Sequence, residues 1–119
     1  MQIGLANLAD TFGNMRKGDC INMAIIDKTQ MHKEICNEMN EIYRNKSHDY
    51  GDSFGETFSK LGIISAITRI SDKHNRLISL CTLPEEERKV KDESITDTLI
   101  DMANYCIMTV IELRNSNKN

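Results

Sequence analysis

Apolar residues recur at three- and four-residue steps through three long segments of this chain, and this spacing is typical of amphipathic helices. The 119 residues include one proline and no tryptophan, so few residues that break a helix interrupt these segments. We therefore predict an all-α fold: a compact helical bundle with three long helices and a short N-terminal helical segment.

The predicted long helices cover residues 25–45, 56–80 and 92–114, and the apolar faces of the second and third are expected to be largely buried. The stretch "LANLADTF" predicts the short N-terminal helix. Between the first two long helices, "NKSHDYGDSFGE" predicts a loop, in which Gly51 would stop the first helix. Pro84 followed by three glutamates predicts a helical turn before the third helix.

The length suits one domain with a thin core, so we expect oligomerisation to complete the core. The predicted organisation is an N-terminal extension (1–24), an all-α domain (25–115) and a polar tail (116–119). The net charge of −3 argues against binding to a nucleic-acid polymer. No apolar run reaches the roughly 20 residues of a membrane span. Four widely spaced cysteines without a secretory signal predict a cytoplasmic protein with reduced, mostly buried thiols.

Carboxylates recur on one face of the first and third predicted helices. Glu38 and Glu41 are three residues apart, whereas Asp97 and Asp101 are four apart and follow Glu93 at the same step. Carboxylates on two helices of a bundle can hold a divalent cation, Mg²⁺ in particular when a substrate supplies phosphates. An ordinary solvated acidic surface is the alternative, and the spacing leaves both open.

A basic stripe follows the second predicted helix. Arg69, Lys73 and Arg76 lie at steps of four and three residues, which suits phosphate binding, and Asp72 beside them could orient an arginine or join a metal shell. Salt bridges to the acidic helices are the alternative, and exposed pairs of that kind stabilise little.

The segment that joins the first two predicted helices adds further candidates for ligand binding. Lys46 lies there with Asp49 and Tyr50, and the tyrosine offers a flat ring on which a base can stack. Asn104 extends the acidic row of the third helix.

The stretches "KSHDYGDSF", "RISDKHNRL" and "DESITDTLIDMANY" follow one another in an order and spacing that resemble the nucleotide modification associated domain type 1 family of phages and bacteria. The resemblance covers roughly residues 38–110. That family's helical pattern is in turn similar to the all-α nucleoside triphosphate pyrophosphatases, which include MazG-like enzymes and dimeric dUTPases.

In those pyrophosphatases an E-x-x-E and a later E-x-x-D bind magnesium, and an activated water attacks the phosphate chain. The resemblance assigns metal binding to Glu38, Glu41, Asp97 and Asp101, and catalysis to the two glutamates. Thr98 departs from the pattern, because it stands where the pattern has glutamate.

The resemblance and the residues together leave three functions open. The first is Mg²⁺-dependent hydrolysis of a nucleoside triphosphate to monophosphate and pyrophosphate. The second is non-catalytic binding that sequesters a nucleotide or a cyclic-nucleotide immune signal, as a phage anti-defence protein in the host cytoplasm. The third is an interaction role for a helical homo-oligomer. In the first two, Lys46, Arg69, Lys73 and Arg76 face phosphates, and Asp49, Tyr50 and Asn104 contact base or sugar.

Overall fold

The computed structural model describes residues 17–88 and 94–118, and these residues form four α-helices and no strand. The helices are α1 (Lys17–Tyr50), α2 (Ser53–Leu61), α3 (Ile63–Thr82) and α4 (Ile95–Ser116), with a 3₁₀ turn at Glu85–Glu87. The predicted all-α class is confirmed for this part of the chain. In the same residues, no helix is both long and apolar enough to span a membrane. The predicted helix in "LANLADTF" lies outside the described residues.

The first predicted loop is much shorter than expected. Helix α1 continues to Tyr50 and stops at Gly51, whose φ of 69° is in the left-handed region, as the sequence predicts. The backbone N–H of Gly51 donates to the Ser47 carbonyl at 2.9 Å. Only Gly51 and Asp52 separate α1 from α2, because the Asp52 carboxylate accepts a hydrogen bond from the Gly55 N–H at 3.1 Å and thereby caps α2.

The prediction of one continuous helix over residues 56–80 is wrong, because Gly62 divides it into α2 and α3. Gly62 has φ 74° and ψ −165°, a region that is essentially restricted to glycine. Its N–H donates to the Phe58 carbonyl at 2.7 Å and closes α2, while its carbonyl accepts from the Ser65 N–H at 3.1 Å and opens α3.

Helix α4 begins with a capping box. The Asp97 N–H donates to the Ser94 hydroxyl at 3.0 Å, and the Ser94 N–H donates to the Asp97 carboxylate at 3.3 Å. The helix therefore starts at Ile95, whereas residues 92 and 93 of the predicted helix are outside the described part.

The chain divides into two compact units, residues 1–40 and residues 41–119. In the second unit, α3 packs along α4, and α2 packs on both. The core of this unit is small: it consists of Phe58 from α2, Ala66 and Leu80 from α3, and Thr98 and Thr109 from α4.

Much of the predicted apolar core is exposed. The large apolar residues of the predicted core faces that remain exposed are Met31, Ile35, Leu61, Ile63, Ile64, Ile67, Ile95, Leu99, Ile107, Val110 and Leu113. The prediction of mostly buried cysteines is also wrong for the three that the structure describes in full. Cys36, Cys81 and Cys106 are exposed free thiols.

Candidate functional site

Residues of all four helices in the unit 41–119 surround a cavity of about 370 Å³. The last two turns of α1, the turn into α2, the first half of α3 and the middle of α4 each contribute to its wall. The wall includes Tyr43, Lys46, Tyr50, Asp52, Phe54, Ser65, Arg69, Asp101, Asn104, Tyr105 and Met108.

Asp101 of α4 binds two lysines from two other helices. Lys46 of α1 donates to Asp101 Oδ1 at 3.2 Å, and Lys73 Nζ of α3 lies 2.9 Å from Asp101 Oδ2. This lysine–aspartate cluster (Lys46, Lys73 and Asp101) ties the three helices together beside the cavity. Its two ammonium groups outnumber its carboxylate, so the cluster carries a net positive charge.

Burial and the two lysines both affect the pKa of Asp101. Burial disfavours the carboxylate and raises the pKa, but the hydrogen bonds from Lys73 and Lys46 and their positive charges outweigh burial. The pKa of Asp101 therefore lies below its ordinary value, and the side chain is a carboxylate at neutral pH.

An aromatic pair forms another part of the wall. The rings of Phe54 and Tyr105 stack with their centroids 6.0 Å apart and their planes at 29°. Phe54 reaches this position because α2 begins at Ser53, directly after the Asp52 cap. Tyr105 follows Asp101 by four residues on α4, so the aromatic pair and the lysine–aspartate cluster are one helical turn apart.

Polar side chains complete the cavity. Arg69 lines it from α3, one turn before Lys73, and Asn104 lines it from α4 next to Tyr105. The exposed ring of Tyr50 contributes to the wall at the end of α1. The cavity thus combines flat aromatic surface, cationic groups and an amide.

Five of the predicted site residues line the cavity, and a sixth contacts one of them. Lys46, Tyr50, Arg69, Asp101 and Asn104 line the cavity, and Lys73 contacts Asp101.

The other predicted ligand-binding residues are not in the cavity wall. The exposed Asp49 pairs with His48 at 3.0 Å. Asp72 is exposed on α3, and Arg76 is half-buried farther along the same helix.

The carboxylates that were predicted to bind metal have other surroundings. Glu41 pairs with Arg44 at 2.9 Å on the surface, Asp97 caps α4, and Asp101 binds the two lysines. Glu38 is an exposed residue of the other unit. Among residues 17–88 and 94–118, no three Asp, Glu, His or Cys side chains form a group that could hold a metal ion. The magnesium site stays a prediction, because Glu38 belongs to the unit of residues 1–40 and the other three carboxylates belong to residues 41–119.

The surroundings of Thr98 bear on the predicted pyrophosphatase pattern, which has glutamate at this position. The residue is fully buried, and its hydroxyl donates to the Ser94 carbonyl at 3.1 Å. A glutamate at this position would have to place its carboxylate in the protein interior, which is costly for an unpaired charge.

Sequence reasoning missed the aromatic pair. The segment that contains Phe54 was predicted to be a loop, and a phenylalanine in a loop has no predictable direction. Tyr105 carried a usable signal, since Asp101, Tyr105 and Met108 recur at four- and three-residue steps and therefore share a face of α4.

Comparison with known protein families gives a match over the second half of the chain. Residues 46–113, more than half of the chain, match the family described as nucleotide modification associated domain 1. Comparisons with curated proteins and with solved structures find no match. The matched segment contains the aromatic pair and the whole lysine–aspartate cluster, and the kinship with pyrophosphatases stays a prediction. On this match, the chain belongs to the nucleotide modification associated domain 1 family.

Proposed function

We propose that the cavity binds one nucleotide, with the base against the aromatic pair and the phosphates at the cationic side chains. The observation that carries this proposal is the placement of the two groups one turn apart on α4. That spacing, about 5.4 Å along the helix axis, is short enough for one ligand to contact both. The family description, which concerns nucleotide modification, supports the same class of ligand.

The aromatic pair supplies the contact for the base. Phe54 and Tyr105 present ring surface at the cavity wall, and stacking of a base on an aromatic side chain contributes about 1–3 kcal/mol. Asn104, the neighbour of Tyr105, has an amide that both donates and accepts hydrogen bonds, as recognition of a base edge or a sugar hydroxyl requires.

The cationic side chains supply the contacts for phosphate. Lys46 and Lys73 are held in place by Asp101, and Arg69 lies one turn from Lys73 on α3. Arginine offers a forked set of donors to phosphate, and lysine offers a compact charge. Because Lys46 and Lys73 share a single carboxylate and Arg69 adds a further charge, the group keeps positive charge that an anionic ligand can neutralise.

The size of the cavity favours a mononucleotide. Its volume of about 370 Å³ is near the lower end of the range for small-molecule sites, roughly 300–1,000 Å³. A single nucleotide suits such a volume better than a cyclic dinucleotide with two bases. Of the predicted ligands, we therefore favour the mononucleotide.

We further propose that the nucleotide is held rather than cut. Asp101 faces two lysine ammonium groups. Among the described residues, no three carboxylates lie close enough together to hold a metal ion. Binding would then need no Mg²⁺. Magnesium-dependent pyrophosphohydrolysis is the second candidate, and the spacing of Glu38 and Glu41 on α1 favours it.

The Asp101→Asn variant separates the two candidates, because they assign Asp101 opposite roles. If the lysines hold phosphate directly, removing the carboxylate frees both ammonium groups, and nucleotide affinity should be kept or raised several-fold without Mg²⁺. If Asp101 is a metal ligand, turnover should require Mg²⁺ and disappear in Asp101→Asn and in Glu38→Gln. Isothermal titration calorimetry with and without Mg²⁺, followed by chromatography of the recovered nucleotide, measures both properties.

Two further variants test the site itself. Lys46→Gln and Tyr105→Leu should each weaken nucleotide binding by about tenfold, as expected for the loss of roughly 1.4 kcal/mol. Lys60→Gln, an exposed lysine of α2 outside the cavity wall, is the matched control and should bind like the wild type. Wild-type affinity in both site variants would refute nucleotide binding at this cavity.

A further inference from the structure

The wall of the cavity contains an acid that the proposed contacts to base and phosphate do not use. Asp52 lines the cavity at the turn between α1 and α2. Ser65, from the first turn of α3, lines the same cavity. A carboxylate repels phosphate, so this part of the wall suits a different part of the ligand.

The start of α2 holds the carboxylate of Asp52 in place. Its Oδ1 accepts a hydrogen bond from the Gly55 N–H at 3.1 Å. The two carboxylate oxygens lie where a Cβ of residue 55 would collide with them, so the glycine leaves the room that they occupy. Oδ2 makes no hydrogen bond to any residue that the structure describes. Asp52 thus offers the cavity a fixed carboxylate with one oxygen able to accept from a ligand.

The hydroxyl of Ser65 is also an acceptor toward the cavity. It donates its only proton to the Gly62 carbonyl at 2.8 Å, and the lone pairs of its oxygen remain for a ligand. Asp52 and Ser65 therefore both require a hydrogen-bond donor from the ligand. Sugar hydroxyls and the amino group of a base are donors, whereas the oxygens of an ionised phosphate are not.

The position of Asp52 in the chain favours the sugar hydroxyls. Asp52 precedes Phe54 by two residues, which span at most about 7 Å. It follows Lys46 by the last turn of α1 and two residues. Lys46 belongs to the cations that we propose to face phosphate, and Phe54 belongs to the aromatic pair that we propose to face the base. Since the sugar joins these two parts of a nucleotide, a residue close to both contacts is next to the sugar.

We propose that Asp52 accepts hydrogen bonds from the ribose hydroxyls of the ligand, so that the cavity selects ribonucleotides over deoxyribonucleotides. This inference rests on the proposed binding of a nucleotide in the cavity. A site that hydrogen-bonds a hydroxyl of its ligand rejects the analogue without that hydroxyl, because the polar group of the site then loses its partner. An acidic side chain has the same contact with the ribose in dinucleotide-binding folds.

Isothermal titration calorimetry of the full-length protein in excess EDTA measures this selectivity and prevents hydrolysis that requires Mg²⁺. The probes are AMP and dAMP, with the corresponding guanosine, cytidine and uridine pairs. For the base that binds best, the ribonucleotide should bind at least tenfold more tightly, as expected for a hydrogen bond to a charged acceptor. Equal affinities within every pair would overturn the inference and leave the proposed function standing. No binding of any probe would overturn both.

The Asp52→Ser variant assigns the selectivity to one residue. Serine caps a helix about as well as aspartate, so α2 should be kept and the circular dichroism spectrum should match that of the wild type. The variant should bind the ribonucleotide and its deoxy counterpart with similar affinity. Glu56→Gln is the matched control, because it changes another exposed acid at the start of α2 that lies outside the cavity wall, and it should keep the wild-type ratio.

Two results would overturn the role of Asp52. The first is a ratio of ribonucleotide to deoxyribonucleotide affinity that is unchanged in Asp52→Ser, or changed equally in Glu56→Gln. The second is a variant in which only the ratio of AMP to IMP affinity changes. These two probes differ in the amino group of the base, so that result would place the carboxylate at the base rather than at the ribose.

Discussion

Asp101→Asn gives the most informative test of how this fold is held together. The substitution keeps the size of the side chain and removes its charge, so that Lys46 and Lys73 lose their shared partner. Because these lysines come from α1 and α3, the change weakens two ion pairs that join α4 to two other helices.

The exposure of each partner sets the expected magnitude. The Lys46 side chain is 58% exposed, so its pair with Asp101 should contribute within the range of surface salt bridges, about 0.2–1 kcal/mol. Lys73 and Asp101 are 21% and 26% exposed, and a hydrogen bond between charged groups with less water around it contributes about 1.5 kcal/mol. We therefore expect Asp101→Asn to lower the free energy of unfolding by about 2 kcal/mol. For a chain of this size, that corresponds to a Tm lower by about 8 °C.

The effect should depend on pH in a defined direction. The pKa of Asp101 is lower in the folded chain than its ordinary value, so the folded state favours the carboxylate. This contribution to stability is complete above the pKa of the unfolded chain, about 4, and is lost as the pH falls through the lower folded pKa. The difference in unfolding free energy between wild type and Asp101→Asn should consequently be constant near neutral pH and shrink only below about pH 4.

Urea unfolding monitored by circular dichroism, at neutral and at acidic pH, measures this difference. Glu41→Gln is the matched control, because it removes an exposed pair within one helix and should cost at most about 0.5 kcal/mol. If Asp101→Asn costs no more than Glu41→Gln at neutral pH, the lysine–aspartate cluster does not stabilise the fold. A difference that stays the same down to the lowest pH would refute the electrostatic account.

Two further substitutions test how the helices are delimited. Gly62→Ala should destabilise the fold by about 1–3 kcal/mol, because φ 74° with ψ −165° is unfavourable for a residue with a side chain. Thermal unfolding measures this loss of stability. An unchanged Tm would mean that α2 and α3 can join as one helix. Ser94→Ala should cost about 0.5–2 kcal/mol through loss of the α4 cap, whereas Ser71→Ala in the exposed middle of α3 should be neutral or slightly stabilising. Equal effects of the two serine substitutions would contradict the capping role.

The sequence predicted the helical class and several charged residues of the site. It did not predict which groups these charged residues contact. Asp101 and Lys73 were identified as site residues because charges at helical spacing share a face, whereas Lys46 was identified in the segment that joins the first two predicted helices. That Asp101 contacts lysines of two other helices depends on how α1, α3 and α4 pack, and this packing leaves no periodic signal in any one helix.

The division between α2 and α3 could not be predicted for a related reason. Leu61 and Ile63 flank Gly62 and continue the apolar run, so the helical pattern passes through the glycine without a change. Only the backbone shows that Gly62 has a conformation from which other residues are largely excluded.

The buried Thr98 limits how such a chain could acquire or lose a four-carboxylate site during evolution. A single exchange to glutamate would direct a charge into the protein interior. Position 98 lies in one line with Tyr105 on α4, so a rotation of the helix that exposed position 98 would also move Tyr105 away from Phe54. A carboxylate at position 98 would therefore require further substitutions among the residues that surround it.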